Sequence, residues 1–286
     1  MLRDLVDDAH GDWQAMLRQV GRRVPPDEEA MLTGYGRQTG QARQFCADRE
    51  LVTLAPDETC SVGPSPAFTR PLLAVASYVA PPPLSSSRTG HFFVPFAPDN
   101  ASPQQRSERL AGNSYDLMPV ITAHETYPGH HHHLSRFAAA RPTAVRAIFA
   151  STFFTEGWGL YCEKLMADQG FYQNPFQVLR QVESRAFRAA RVVVDISLHL
   201  GEMTVPEAVD FLQANTLMGP ETAKAEVLRY CAWPTQAASY LTGALEIEQL
   251  RSDWTRAGHG SLRQFHDTLT DSGRLPLSLV RRHLGL

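Results

Sequence analysis

The 286-residue sequence has four cysteines, Cys46, Cys60, Cys162 and Cys231, and no two stand close together. With no CxxC spacing, a cysteine zinc site drops out, and four scattered thiols in a chain of this length read as reduced, mostly buried side chains rather than a disulfide framework. Excess basic charge is missing as well. The net charge is −3, which argues against a general binder of nucleic acid or of anionic membrane. No run approaches the roughly 18 unbroken apolar residues of a membrane span. The opening MLRDLVDDAHGDW lacks the basic stretch followed by an apolar run that marks a signal peptide, so the expected location is the cytoplasm. No GxSxG elbow, Walker loop or GxGxxG fingerprint occurs, and the glycines of GYGRQTG (34–40) have the wrong spacing for one. Internal repeats are absent too.

What is present reads as a mostly α protein. Leu2, Leu5, Val6, Trp13, Met16, Leu17 and Val20 recur at helical spacing over 2–22, and a second helical stretch runs to about Cys46. Residues 53–103 change character. GPSPAFTRP, YVAPPPLSSSRTG and FAPDNASP are rich in Pro, Ser and Gly, yet the segment carries Phe68, Tyr78, Phe92, Phe93 and Phe96. It reads as extended, loop-rich and packed, with HFFVPF (91–96) as a short strand that Pro95 keeps at an edge. From 113 the pattern is helical almost to the end, with helices expected over 114–138, 142–169, 175–201, 205–214, 220–231, 235–256, 260–271 and 276–284. Prolines and Asn-Pro or Gly-Pro pairs separate them, several placed where a first turn accepts them. One domain over 1–286 is expected: a helical lead-in (1–52), the Pro-rich segment (53–103) and a helical region carrying a metal site (104–286).

The chemistry centres on ITAHETYPGHHHH (121–133). In HExxH, two histidines four apart share one helix face and grip one ion. Here Pro128 stands where the second His belongs. On a regular helix His130 lies about 240° around and about 9 Å along from His124, while His131 returns to the same face about 10.5 Å away, so neither shares an ion with His124. Pro128 forbids that regular helix, because its ring clashes with the carbonyl of residue 124 and it donates no bond. Gly129 permits backbone angles that other residues avoid. The pair acts as a two-residue insertion, HExx(PG)H, that can swing His130 to the ligand position, with His131 as the alternative. The plain competing reading is a His-rich tract that binds metal adventitiously.

A third ligand is expected from STFFTEGWGLYCEKLMADQ (151–169). Phe153, Phe154, Trp158, Tyr161, Leu165 and Met166 mark its buried face, with Glu156 and Glu163 on a stripe beside it. Gly157 and Gly159 make sense if another helix approaches closely. A returning helix bringing Glu156 to His124 and His130 leaves the fourth position to water, with Glu125 as the general base that deprotonates it. The alternative makes both glutamates solvated surface charges.

These segments, followed by RAARVVVDISLHLGEMT, AEVLRYCAWPTQAASYLTGALEIEQLR and FHDTLTDSGRLPL, resemble the bacterial family called "domain of unknown function 885". Its members usually read HExxPGHH, EGWALYxE, RxxRxxxDxxLH and ExxRYxxxPxQAxxYxxG in that order. Residues 64–96 look like the family's proline-rich approach to the site. The resemblance covers most of the chain and corresponds to the C-terminal half of members about twice as long. It implies a mostly helical fold akin to the gluzincin metallopeptidases of the neurolysin and angiotensin-converting-enzyme type, with one Zn2+ (other divalent metals not excluded) and peptide hydrolysis. It nominates Tyr240 to steady the oxyanion, against the reading of a plain core tyrosine, and includes Arg229 and Tyr230 in the same motif. His132, His133 and Gly159 depart from the usual leucine, glutamine and alanine.

Arg188, Arg191, Asp195 and His199 form a stripe in an otherwise apolar helix. Buried polar groups need partners, so Asp195 and His199 read either as support behind the metal ligands, with an Arg clamping a substrate carboxylate, or as a structural salt-bridge network. His266 reads as a packed or capping histidine.

The expected function is a zinc-dependent hydrolase acting on a peptide or small amide, without nucleic acid or membrane as partner. The alternative is a catalytically inactive helical metal-binding or regulatory domain, and a third option is a helical scaffold with an empty site. With half of the family's length missing, exposed apolar surface predicts a homodimer or a partner chain.

Overall fold

The computed structural model describes residues 23–286 apart from 72 and 141; the helix expected over 2–22 lies outside the described residues. The first described helix, α1 (Glu28–Asp48), starts where Asp27 accepts the Ala30 amide at 2.7 Å, with Glu28 and Glu29 favourably placed in its first turn. A small sheet follows: β1 (Thr59–Pro64), β2 (Ser77–Val79) and β3 (Thr89–Val94), in the order β1-β3-β2. β1 runs parallel to β3, pairing Thr59 with Thr89 through Pro64 with Val94, and β2 runs antiparallel, pairing Tyr78 with Phe92. The expected edge strand at 91–96 is therefore the sheet's centre. It stops at Val94, so Pro95 never has to donate to a ladder. Phe92 is fully buried, as an aromatic in a packed segment should be, whereas Phe68 stands exposed.

The remainder is helical: α2 (Pro103–Ala111), α3 (Met118–Glu125), α4 (His130–Ala139), α5 (Ala144–Ile148), α6 (Thr152–Asp168), α7 (Pro175–Leu200), α8 (Val205–Asn215), α9 (Pro220–Ala232), α10 (Gln236–Arg256), α11 (Leu262–Asp271) and α12 (Leu277–His283). Helix α2 lies partly in the stretch read as extended, and its signal is a capping box, Ser102 reciprocated by Gln105. Two expected helices are broken: 114–138 into α3 and α4, and 142–169 into α5 and α6, where Phe149 turns to extended angles. The other boundaries agree to within two residues because caps set them: Asn174 at the start of α7, left-handed Gly201 at its end, and capping boxes Thr204/Glu207 and Ser261/Gln264.

The main core joins α6 and α10 through Phe154, Trp158, Leu165, Ile247 and Leu250, closed off by Phe265, Leu269 and Val280. The two helices meet backbone to backbone. A Cβ on Gly157 would lie 2.5 Å from the Gly243 carbonyl carbon, and one on Gly243 would lie 1.9 Å from the Phe153 oxygen. The close approach expected of Gly157 is thus made by α10. No described helix is long and apolar enough to cross a membrane.

Candidate metal centre

The centre is built on the break between α3 and α4. Helix α3 ends at Glu125, Tyr127–Pro128 is a cis peptide, and α4 restarts at His130. The break is stitched by the His132 amide, which donates to the Thr126 carbonyl at 3.1 Å, and by Trp158, whose Nε1 donates to the Pro128 and Gly129 carbonyls at 3.0 and 3.3 Å. Gly129 is required for space rather than for handedness. Its φ is −70°, so left-handed freedom is not what the position needs, but a Cβ would fall 1.9 Å from the His124 carbonyl oxygen. The insertion thus folds α4 back onto the end of α3.

The fold-back brings the His124 and His130 rings to a centroid separation of 4.7 Å at 87°. From α6, Glu156 Oε2 lies 3.5 Å from His124 Nε2 and 3.6 Å from His130 Nε2. Such separations are at or beyond the limit of a hydrogen bond. They match the spacing of about 3.4 Å between ligand atoms held tetrahedrally at zinc–nitrogen bond lengths. Ligand atoms of His124, Glu125 and His130 also lie within 4.8 Å of one another. Two glutamates, Glu125 and Glu156, therefore border the same point. Behind His124, Glu163 Oε1 holds Nδ1 at 2.8 Å, and Glu163 Oε2 accepts from Ser184 Oγ at 2.7 Å. A carboxylate on the far nitrogen fixes the tautomer and turns Nε2 toward the cluster.

Burial disfavours the charged imidazole of His124, but Glu156 and Glu163 outweigh it and push the group up to about 10. Burial would raise Glu156, yet the two imidazoles hold it far below the usual carboxylate range. Burial lifts Glu125 above its ordinary value, with Glu156 adding to the rise while His124, His130 and the Tyr78 amide oppose it. A raised carboxylate suits a general base working near neutral pH.

Residues 2–284 match the family model described as "Bacterial protein of unknown function (DUF885)". This chain belongs to that family. No curated protein matches the sequence. Among solved structures the chain is similar to the "putative lipoprotein from Colwellia psychrerythraea", with TM-score 0.85 and 24% identity over 99% of this chain and 48% of that one. It is also similar to the "putative lipoprotein of unknown function from Shewanella oneidensis", with TM-score 0.83 and 21% identity over 94% and 48%. The chain spans about half the length of these solved structures, and at these identities the likeness concerns the fold.

The DUF885 motifs acquire physical roles in this chain. In EGWGLYCE, Glu156 faces both imidazoles, Trp158 pins the break, Glu163 holds His124, and a Cβ on Gly159 would sit 2.6 Å from the His124 ring. The small residue at 159 is what lets α6 pass His124. In the motif spanning 226–243, Glu226 accepts from Arg191, Arg229 and the Tyr230 hydroxyl at 2.9, 2.9 and 2.7 Å. Burial would raise Glu226, but Arg191 and Arg229 hold it down at about 2. Arg229 also donates to Gln236 Oε1 at 2.7 Å, and Gln236 Nε2 donates to the Tyr240 hydroxyl at 3.3 Å. Tyr240 lies 6.3 Å from the His124 ring, centroid to centroid, and burial, reinforced by Glu156, raises its hydroxyl and keeps it a donor.

Other expected site residues are put to different use. Both nitrogens of His131, the alternative ligand, are taken: Nε2 by Glu58 at 2.5 Å and Nδ1 by Tyr78 Oη at 3.1 Å. Asp195 accepts the Thr235 and Ala238 amides at 3.3 and 3.1 Å, so with His199 at 3.1 Å it caps the start of α10 instead of backing a ligand. Arg191 is buried against Glu226 and the Tyr240 ring rather than free for a substrate carboxylate, and Arg188 donates to Ser184 Oγ at 2.6 Å. His266 is packed as expected, between the Leu51 carbonyl and the Tyr161 hydroxyl. Glu58, Ser184, Glu226 and Gln236 escaped the sequence reading. Glu226 and Gln236 were within a quoted motif; Glu58 carries no local signal, lying 73 residues from its histidine.

Proposed function

We propose that the chain is the metal-site part of a zinc-dependent hydrolase acting on peptides or related amides, with His124, His130 and Glu156 as ligands. The observation that carries the reading is the approach of one Glu156 oxygen to Nε2 of both histidines at 3.5 and 3.6 Å. The residues fit the ion: two imidazoles and a carboxylate form a donor set zinc favours, with a carboxylate behind one imidazole. Zinc bound there would supply Lewis acidity toward water and toward an amide carbonyl.

The chain's own residues account for the proton traffic. Glu125, its affinity for a proton raised by burial, takes the proton of the attacking water and delivers it to the departing amine. Tyr240, oriented by Gln236, donates its hydroxyl hydrogen to the oxyanion. Glu163 and Ser184 hold the His124 tautomer. On the resemblance, this is the C-terminal half of a gluzincin-like peptidase, and the substrate cleft is completed by what corresponds to the family's other half.

The runner-up, an inactive metal-binding domain, draws on the chain's spanning about half of its solved relatives. A structural zinc site is closed by four protein ligands. With both nitrogens of His131 occupied elsewhere, His131 does not close the site, which favours the enzyme. The test is metal content and hydrolysis of a broad peptide set by the wild type and Glu125→Gln. Metal in both proteins with cleavage only by the wild type supports the reading; a zinc-loaded wild type inert on all peptides counts against it.

A further inference from the structure

His124 and His130 stand on opposite sides of the break between α3 and α4, so their approach is only as firm as the break itself. The His132 amide closes it on the Thr126 carbonyl at 3.1 Å, and Trp158 pins its carbonyls from α6. A further fastening comes from far away in the chain. Glu58 Oε2 accepts from Tyr127 Oη, just before Pro128–Gly129, and meets His131 Nε2 at 2.5 Å, just after it. One carboxylate oxygen thus bridges the insertion. The other accepts from Arg43 Nε of α1 at 3.1 Å.

The bridge is buried: the Glu58 side chain is 2% exposed and that of His131 0%. A buried carboxylate is costly unless it is fully partnered, and here three donors surround it. The imidazole is held in its orientation from both sides. Tyr78 Oη meets Nδ1 at 3.1 Å, and the Tyr127 ring packs edge-on, its centroid 5.1 Å away. Gly90 leaves room for the Tyr78 phenol, since a Cβ there would fall 1.9 Å from its oxygen. Glu58 acts on the ligands through the backbone, because His131 follows His130 in the first turn of α4.

We propose that Glu58 is a staple across the Pro128–Gly129 insertion. By holding Tyr127 and His131 together it sets His130 opposite His124 before any metal arrives, which makes Glu58 a positioning residue for the metal centre. This rests on the reading of His124 and His130 as ligands; the staple itself is tested in metal-free protein. In chelated, 15N-labelled protein the His132 amide, which closes the break, should exchange slowly with solvent. Tyr127→Phe keeps the ring and removes one leg of the staple, and Glu58→Gln keeps the shape and removes the charge. Each should speed exchange at position 132 by about tenfold, the scale of a lost anchoring bond, while amides in the core of α6 stay as protected as before.

Zinc affinity, read by competition with a chromophoric chelator, should fall about tenfold in Glu58→Gln, the scale of a group that orients a metal ligand. Tyr127→Phe should cost less in that background than alone, because both changes cut the same bridge. A Glu58 that only stabilises the fold would lower the melting temperature and leave zinc affinity untouched. Exchange at 132 equal to the wild type in both variants, or faster exchange with unchanged zinc affinity, overturns the proposal. His131→Phe removes the other leg and should weaken zinc while two imidazoles stay in the coordination shell; loss of one imidazole makes His131 a ligand and overturns the assignment. If exchange responds as expected but the wild type binds no zinc, the metal reading fails and the staple stands. If zinc affinity responds while the wild type cleaves no peptide, the enzymatic reading alone fails.

Discussion

Replacing Glu163 by Gln tests whether the carboxylate behind His124 serves the metal. Glu163 is 1% exposed, and its two oxygens meet His124 Nδ1 at 2.8 Å and Ser184 Oγ at 2.7 Å. Glutamine keeps the shape: its carbonyl oxygen can accept from Nδ1–H, and its amide can donate to Ser184 Oγ. What disappears is the charge that raises the imidazole's basicity. Partners of this kind are typically worth 10–100-fold in metal affinity, or about 1.4–2.7 kcal/mol. Glu163→Gln should fall near tenfold. Glu163→Ala should approach a hundredfold, since it also strands Ser184 and Arg188, which lies 3.8 Å away. Competition for zinc against a chromophoric chelator at fixed pH measures both variants, and melting of the chelated proteins separates loss of fold from loss of affinity. Zinc affinity equal to the wild type in both variants would refute the reasoning.

Tyr240→Phe should keep one zinc per chain and lose roughly 10²-fold or more in kcat, the scale of one oxyanion donor; equal turnover would remove Tyr240 from the mechanism. Gly243→Ala places a Cβ 1.9 Å from the Phe153 oxygen, so overpacking of about 1–3 kcal/mol should outweigh the better helix propensity and lower the denaturant midpoint. In metal-free protein, burial depresses His266 to about 4 and His133 to about 3. Each stays neutral when folded but takes up a proton when unfolded, so stability is full above the ordinary value of about 6.5 and falls as pH drops toward these values. Denaturant titrations at pH 7, 6 and 5 should show that decline, and stability flat over this range would contradict it.

Much of the centre was legible because local rules were at stake. Pro128 forbids a regular helix, and that alone separates HExx(PG)H from a straight rod; His124, Glu125, His130 and Glu156 converge as the spacing suggested. Helix ends were legible where caps stand in sequence, as at Asn174 and Gly201. The role of Asp195 stayed open in the sequence because a carboxylate four residues from a histidine looks alike whether it backs a metal ligand or caps a helix from 40 residues away. His131 could not be told from His130 without Glu58, and β3 looked like an edge because the parallel partner of β1 is fixed by pairing across the Pro-rich segment.

The most direct test is zinc X-ray absorption on untagged protein loaded with one equivalent per chain. The account predicts two imidazole nitrogens at about 2.0–2.1 Å, oxygen donors at about 2.0–2.2 Å and no sulfur, with one imidazole lost in His130→Ala but none in His131→Phe. Failure to bind zinc stoichiometrically, or a coordination shell unchanged by His130→Ala, would contradict it.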